Sequence, residues 1–126
     1  MDIERIATTD APTPAGHYSQ ATVHDGLLFV AGQIPVRADG THQADAPFED
    51  QARQALANLL AIVRAGRSAP ERVLKVNVYI VGVEHWPAFN RVYAELFGDA
   101  RPARAVIPVP ELHHGYLIEV DAVAAR

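Results

Sequence analysis

The chain has 126 residues, of which 49% are hydrophobic and 21% charged, and its formal net charge is −4. This length predicts one domain over residues 1–126, and the composition excludes a disordered chain. The absence of cysteine excludes disulfides, thiolate metal sites and thiol nucleophiles. A pI near 5.8 argues against a protein that binds nucleic acid through its phosphates.

The first residues lack the basic segment and apolar run of a secretory signal. No apolar run reaches the roughly 18–20 residues that a membrane helix needs. We therefore expect a cytoplasmic protein without a membrane segment.

The chain begins with a short strand predicted at residues 3–7 and a turn-rich loop at 11–16. Two β-prone runs follow at 21–24 and 27–31, separated by Asp25-Gly26. An Asp-Gly pair between two such runs is a strong signal for a β-hairpin.

An amphipathic helix is predicted from about residue 47 to 65, with Asp45 as its N-cap and Gly66 at its end. Its core-facing residues are Phe48, Ala52, Ala55, Leu56, Leu59, Ile62 and Val63. The residues expected to face away from the core are Glu49, Gln51, Arg53, Gln54 and Asn58. Ser68 and Glu71 have capping-box spacing, which predicts one further helical turn.

The rest of the chain predicts a strand at 73–81, a helix at 85–97 and two strands at 103–109 and 116–124. The helix has an apolar stripe of Trp86, Phe89, Val92, Tyr93, Leu96 and Phe97. The order β-β-β-α-β-α-β-β indicates an α+β fold, a single sheet of about six strands covered on one face by two helices. The bare face favours a homo-oligomer.

Six histidines raise the question of a metal site, but none are at HxxxH spacing and no acidic residue has convincing ligand spacing to them. The adjacent pair His113-His114 would point to opposite sides of an extended chain. Glycine-rich phosphate loops and a nucleophile elbow are also absent. We expect no metal and no cofactor.

The last quarter of the chain contains an arginine in an apolar strand, which is unusual. On strand alternation, Arg104 projects together with Val106 and Pro108, among apolar neighbours. A guanidinium there needs a carboxylate, supplied either by Glu119 or Asp121 or by a ligand. The residues alone favour the internal ion pair, because most paired charges do no chemistry.

Several segments, in their order and spacing, resemble those of the Rid (YjgF) family of enamine/imine deaminases over essentially the whole chain. They are Pro14-Ala-Gly-His-Tyr-Ser-Gln20, Val30-Ala-Gly-Gln-Ile-Pro35, Lys75-Val-Asn-Val-Tyr79, Phe89-Asn90 with Val92-Tyr93, Arg101-Pro-Ala-Arg104 and Ile118-Glu-Val-Asp-Ala122. The resemblance implies a chorismate-mutase-like fold and a trimer centred on a β-barrel, with ligand clefts between subunits.

The resemblance also implies the chemistry, which is hydrolysis of reactive 2-imino acids and enamines to 2-keto acids and ammonia without a cofactor. Arg104 matches the arginine that clamps the substrate carboxylate, Glu119 the acid that orients water, and Tyr18 an assisting tyrosine. The other implied substrate-binding positions are Asn90, Ala31, Gly32 and Val106.

The chain departs from the family pattern at four places. Ala31 and Val106 stand where serine and cysteine are frequent, His17 replaces a proline, and His113-His114 replaces a Leu-Pro-x-Gly type of turn. These differences make the physiological imine an open question. The histidine pair either reads a second group of the substrate or forms a solvated turn, and the second interpretation is the more common one for a turn.

Two further functions stay open. A non-catalytic protein of the same fold that senses 2-keto acids would keep Arg104 and use Glu119 in a structural pair, which the departures at Ala31 and Val106 favour. RNA cleavage is disfavoured by the acidic balance and by the lack of an aromatic and basic surface.

Overall fold

The computed structural model describes all 126 residues as one sheet and two helices. The strands are β1 (Glu4–Ile6), β2 (Ala21–His24), β3 (Leu27–Gln33), β4 (Val73–Ile80), β5 (Ala103–Pro108) and β6 (Ile118–Ala125). The helices are α1 (Phe48–Ala65) and α2 (Trp86–Phe97), and short 3₁₀ turns occupy Pro70–Arg72, Val83–His85 and His113–Gly115. This order confirms the predicted succession of elements.

The sheet has the strand order β1-β2-β3-β6-β4-β5, so the last strand of the chain lies near its middle. All neighbours are antiparallel except β4 and β5, which are parallel because α2 returns the chain across the sheet. The two helices pack against one another and α1 packs on β3 and β6. The predicted α+β class is confirmed.

The sheet buries one face and leaves the other open. Along β4, Val76, Val78 and Ile80 are fully buried under the helices, as the alternation predicts. The opposite face keeps Phe29 and Ile107 exposed at 45% and 38%. The bare face expected from the sequence is therefore present, and an apolar surface of this kind is typical of a contact between protein chains.

The hairpin at Asp25-Gly26 joins β2 and β3 as predicted. Both turn residues have positive φ angles, 50° and 76°. This is the backbone of a type I′ turn, whose twist matches that of the two strands.

Helix α1 differs from the prediction at its start and on its polar face. Its N-cap position is Pro47, without a side-chain cap, so the prediction of Asp45 was wrong. Gln51 and Asn58 are buried rather than facing away, because their amides bind backbone carbonyls of the loop before the helix.

The predicted capping box after α1 is also absent. The short 3₁₀ turn Pro70–Arg72 starts without a side-chain cap. The Ser68 hydroxyl instead donates to the carbonyl oxygen of Ala125 at the end of β6. A long-range bond in the tertiary structure has replaced the local one that the spacing suggested.

No helix combines the length and the apolar character needed to cross a lipid bilayer.

Gly66, which ends α1, is required for packing. A Cβ atom at this position would lie 2.8 Å from both Leu28 methyl carbons, and Leu28 is fully buried. The backbone φ of −78° suits alanine, so the obstacle is steric only. We expect Gly66→Ala to lower the free energy of unfolding by about 1–3 kcal/mol in urea denaturation.

The control for this substitution is the Leu28→Ala background, which removes the obstructing methyls. There Gly66→Ala should cost clearly less than in the wild type. Equal costs in the two backgrounds would contradict the steric explanation.

Candidate active site

A cleft of about 330 Å³ opens beside the end of β3. Its walls are the loop before β2, the loop between β3 and α1, and the turn before β6. Predicted site residues Tyr18 and Gly32 line it, and so do His113 and His114.

The loop that carries Tyr18 is held by the buried side chain of Gln20, which is 2% exposed. Its amide nitrogen donates to the carbonyl oxygens of Thr8 and Pro12 at 3.0 and 2.9 Å, and its oxygen accepts from the Thr8 N–H at 2.7 Å. Gln20 itself lines the cleft, a position that the sequence analysis missed. A buried amide with these partners fixes the loop, while Tyr18 remains 54% exposed.

The second wall is held by two amides on α1. Gln51 donates to the carbonyls of Ala44 and Ala46 at 3.1 and 3.0 Å, and Asn58 donates to that of Val36 at 2.8 Å. Gln51 also accepts from the Leu117 N–H at 2.9 Å, which ties the loop and the start of β6 to one side chain. Satisfied buried amides make both walls part of the rigid core.

At the floor of the cleft, a β-bulge brings Gly32 against Glu119. Between Val30 and Gln33, β3 has one residue more than β6, so Ala31 and Gly32 together face Asp121. A Cβ atom on Gly32 would lie 2.1 Å from Glu119 Oε2. Any side chain at position 32 would therefore displace this carboxylate from its place beside the cleft.

The Glu119 carboxylate is partly desolvated. Burial and then the nearby carboxylate of Asp121 raise its pKa above the ordinary value of 4.5, whereas His113 acts in the opposite direction. Asp121 is fixed by Asn77 Nδ2 at 2.9 Å and by the Tyr79 hydroxyl at 3.1 Å, both of which donate to it. A carboxylate with a raised pKa next to a cleft is suited to general base catalysis.

Arg104 lies elsewhere, on the face of the sheet that carries the helices. Its Nη2 donates to Asn90 Oδ1 at 3.0 Å, and its Cζ lies 4.9 and 5.3 Å from the ring centroids of Tyr93 and Phe89. Burial raises the pKa of Tyr93 to about 12, so that ring stays neutral beneath the cation. The guanidinium is therefore oriented by an amide and two aromatic rings.

The prediction of an internal ion pair between Arg104 and Glu119 or Asp121 is wrong. Arg104 pairs in register with Val76, whose side chain is on the helix side, whereas Glu119 pairs with Tyr79 on the open side. No carboxylate lies within ion-pair distance of Arg104. Within one chain, Arg104 and Glu119 are separated by about 10 Å across two strand spacings and about 10 Å along the strands.

The predicted site residues thus form two separate groups. Tyr18 and Gly32 line the cleft, Ala31 lies in the same bulge as Gly32, and Glu119 lies against Gly32 on the open side of β6. The second group comprises Arg104, Asn90 and Val106, with Val106 half-buried against the core.

The histidine pair does not point to opposite sides of the chain. A φ of 62° at His114 turns the backbone, and the two imidazole centroids are 3.7 Å apart. His42, which the sequence analysis did not single out, lies 4.5 Å from His114 across the cleft wall. No group of three or more His, Asp or Glu side chains is arranged to hold a metal ion.

Comparison with known proteins gives a consistent result over nearly the full chain. The family model described as Endoribonuclease L-PSP, which represents the YjgF/Rid proteins, matches residues 8–126. The chain belongs to the Rid (YjgF) family. The resemblance found in the sequence is therefore confirmed.

Among curated relatives, a RutC family protein of Pyrococcus horikoshii is 40% identical over 123 residues, covering 98% of both chains. A 2-iminobutanoate/2-iminopropanoate deaminase of Dermatophagoides farinae is 34% identical and covers 98% of this chain and 97% of its own.

Among solved structures, TdcF of E. coli with bound serine superposes with a TM-score of 0.92 at 31% identity, covering 98% of each chain. The YjgF gene product of E. coli superposes with a TM-score of 0.91 at 31% identity and the same coverage.

The raised pKa of Glu119 has a consequence for stability. Because the ionised form is less favourable in the folded chain than in the unfolded chain, Glu119 lowers the stability at pH values above its folded pKa. We expect Glu119→Gln to raise Tm modestly at pH 7. This gain should disappear as the pH falls through the folded pKa towards 4.5, where both states become protonated.

Differential scanning calorimetry between about pH 4 and pH 8 tests this expectation. The control is Glu111→Gln, at an exposed glutamate outside the cleft lining, which should leave Tm nearly unchanged. A Tm for Glu119→Gln at or below that of the wild type at pH 7 would show that burial does not penalise this carboxylate.

Proposed function

We propose that this protein is a cofactor-independent hydrolase of 2-imino acids and their enamine tautomers, producing a 2-keto acid and ammonia. The substrate class is that of a 2-iminobutanoate/2-iminopropanoate deaminase. Membership of the Rid family and the deaminase from Dermatophagoides farinae support this reaction.

The observation that carries the proposal is the state of Arg104. Its guanidinium is oriented by Asn90 Oδ1 and by two rings, it has no carboxylate partner, and it is exposed on an edge strand. A fixed, unpaired guanidinium favours binding of a planar carboxylate through two parallel hydrogen bonds. An acid in the ligand then takes the place that an internal acid would otherwise fill.

The complete site is proposed to lie between two copies of the chain. Arg104 and Glu119 occupy opposite faces of one sheet, so a single small substrate cannot touch both charges in one chain. Gly32, against Glu119, and Tyr18 line the cleft. The open face has the exposed apolar residues Phe29 and Ile107 to bury against a neighbour. Cyclic assembly as a trimer would repeat this contact and place an Arg104 beside the next subunit's cleft.

In the proposed reaction, Glu119 removes a proton from water while the water oxygen bonds to C2 of the protonated imine. The C=N π electrons move to nitrogen and give a neutral amino alcohol. Protonated Glu119 returns its proton to that nitrogen, the C–N bond breaks, and ammonia leaves. The C2 hydroxyl becomes the keto oxygen and releases its proton, so the products are a 2-keto acid and ammonium.

The other groups orient the reactants. Arg104 holds the carboxylate in the plane of the imine and withdraws electrons from C2. The Tyr18 hydroxyl oxygen accepts a hydrogen bond from the protonated imine nitrogen or from the water. The partly desolvated carboxylate of Glu119 is the base, with a raised pKa that makes it a better proton acceptor.

We expect Arg104→Ala to lower kcat/KM for 2-iminopropanoate and 2-iminobutanoate by roughly 100-fold or more, because a charge-assisted pair is lost. The imines are generated in situ from amino acids, and their loss is followed by competition with semicarbazide. The control Arg101→Ala removes an exposed arginine three positions away and should keep most of the activity. Full activity in Arg104→Ala would overturn the proposal, and Arg104-dependent binding of 2-keto acids without turnover would identify a sensor instead.

The shared site is tested by mixing two inactive variants. Arg104→Ala chains retain Glu119, and Glu119→Gln chains retain Arg104, so a mixed trimer contains one complete site. After joint refolding at equal amounts, we expect recovery of about a quarter of the wild-type activity. No recovery in mixtures whose subunit exchange is shown by mass spectrometry, or a monomer in light scattering, would contradict a site between subunits.

A further inference from the structure

Three imidazoles converge on one wall of the cleft. We call His42, His113 and His114 the histidine cluster. All three side chains are exposed and line the cleft. The ring centroids are 3.7 Å apart for His113 and His114 and 4.5 Å apart for His42 and His114. The proposed hydrolysis does not use any of them.

The tautomer of His42 follows from its neighbour Tyr116, which is only 1% exposed. The Tyr116 hydroxyl oxygen accepts from the Gln43 N–H at 3.1 Å and lies 2.8 Å from His42 Nδ1. Its own hydrogen has no other partner, so it donates to Nδ1. Neutral His42 therefore carries its proton on Nε2, as a hydrogen-bond donor.

The other two members are placed by the turn before β6. His114 adopts a φ of 62°, which brings its ring over His113 instead of extending it away. Desolvation and the two neighbouring imidazoles lower the pKa of His114, so the cluster resists accumulating positive charge while the cleft is empty. An anion among these rings would reverse that repulsion.

Two carboxylates lie near the histidine cluster, those of Asp39 and Glu119. Asp39 lines the same cleft, and hydrogen bonding from the Thr41 side chain and then from the Thr41 N–H, which is 2.9 Å from Oδ1, lowers the pKa of its carboxyl. Glu119 lies behind Gly32 and is influenced by His113. The tyrosines of the site, Tyr18 and Tyr116, add only hydroxyl groups.

The cleft also exceeds the needs of the smallest imino acids. Its volume of about 330 Å³ falls at the lower end of the range for drug-sized ligands, about 300–1,000 Å³. Only 5 of its 15 lining residues are hydrophobic, which disfavours a purely aliphatic substrate tail. An extended substrate would find polar donors at its far end.

We propose that the histidine cluster is a specificity subsite for a second carboxylate, so that the preferred substrates are dicarboxylic 2-imino acids, with the second carboxylate on the side chain. This inference rests on the proposed function, since it assigns the far end of the same cleft. Arg104 of a neighbouring chain binds the carboxylate next to the imine, and the histidine cluster binds the distal one through its N–H groups. Uptake of a proton by the cluster accompanies binding.

The test compares the binding of stable keto acids by isothermal titration calorimetry, with the intact oligomer. The ligands are 2-oxoglutarate, its neutral amide 2-oxoglutaramate, and the apolar 2-oxohexanoate. At about pH 6, we expect 2-oxoglutarate to bind about tenfold or more tightly than 2-oxohexanoate, with the amide between them. The preference should shrink at about pH 8, a pH at which an ordinary histidine side chain carries no charge. Because the raised pKa of Glu119 also makes its charge depend on pH, the pH effect is assigned to the histidine cluster only if the cluster variant removes it.

Variants test whether the preference for 2-oxoglutarate arises from the histidine cluster. His113→Gln with His114→Asn should reduce it to about twofold or less without weakening 2-oxohexanoate, and asparagine tolerates the positive φ at position 114. His24→Gln, at the far end of β2 and outside the cleft lining, is the matched control and should keep the full preference.

The outcomes separate this inference from the proposed function. If 2-oxohexanoate binds in an Arg104-dependent manner but 2-oxoglutarate has no advantage, the specificity subsite is wrong and the hydrolase proposal stands. Tighter binding of 2-oxohexanoate would likewise indicate an apolar subsite and overturn the inference. If neither ligand binds, or if Arg104→Ala changes nothing, both proposals fail.

Discussion

The C-terminal strand β6 pairs with β3 on one side and with β4 on the other, and its strict alternation of side chains separates the two faces of the sheet. Ile118 and Val120 enter the core, so Glu119 must emerge on the open face. Arg104 shares the face of Val76 and is directed towards α2. A period of two along a strand thus keeps the two charges that the proposed reaction uses apart within a chain. In the proposed assembly, a neighbouring chain supplies the Arg104 of each site.

The shape of the cleft depends on buried side-chain amides that hydrogen-bond to the backbone of the loops forming its walls. Gln20 holds the loop before β2, and Gln51 and Asn58 hold the loop before α1. Each amide satisfies carbonyl groups that would otherwise be buried without partners. The walls consequently have the rigidity of the core, although the segments contain little regular structure. Such walls suit a site that holds its ligand in one orientation.

Local patterns in the sequence predicted most elements correctly, and three of the errors share one cause. The 3.6-residue and two-residue periodicities located α1, α2, β4 and β6, and the Asp25-Gly26 pair located the hairpin. Gln51 and Asn58 were assigned to the solvent side because amides are polar, yet Gln51 accepts from the Leu117 N–H and Asn58 donates to the Val36 carbonyl. Ser68 bonds to Ala125 rather than capping a helix. In each case a partner distant in the sequence decided the outcome, and a local pattern carries no signal for such partners.

The sequence by itself determined the fold class, the family and the list of candidate site residues, since these depend on the periodicity of side chains and on motifs. The resemblance pointed to Arg104, Glu119 and Tyr18, although it did not place them in space. Tertiary structure alone decided that Arg104 rests on Asn90, Tyr93 and Phe89, and that Gly32 makes room for Glu119. It also decided that His42 joins His113 and His114 beside the cleft. These contacts join residues far apart in the chain, and strand order, register and a single β-bulge set them.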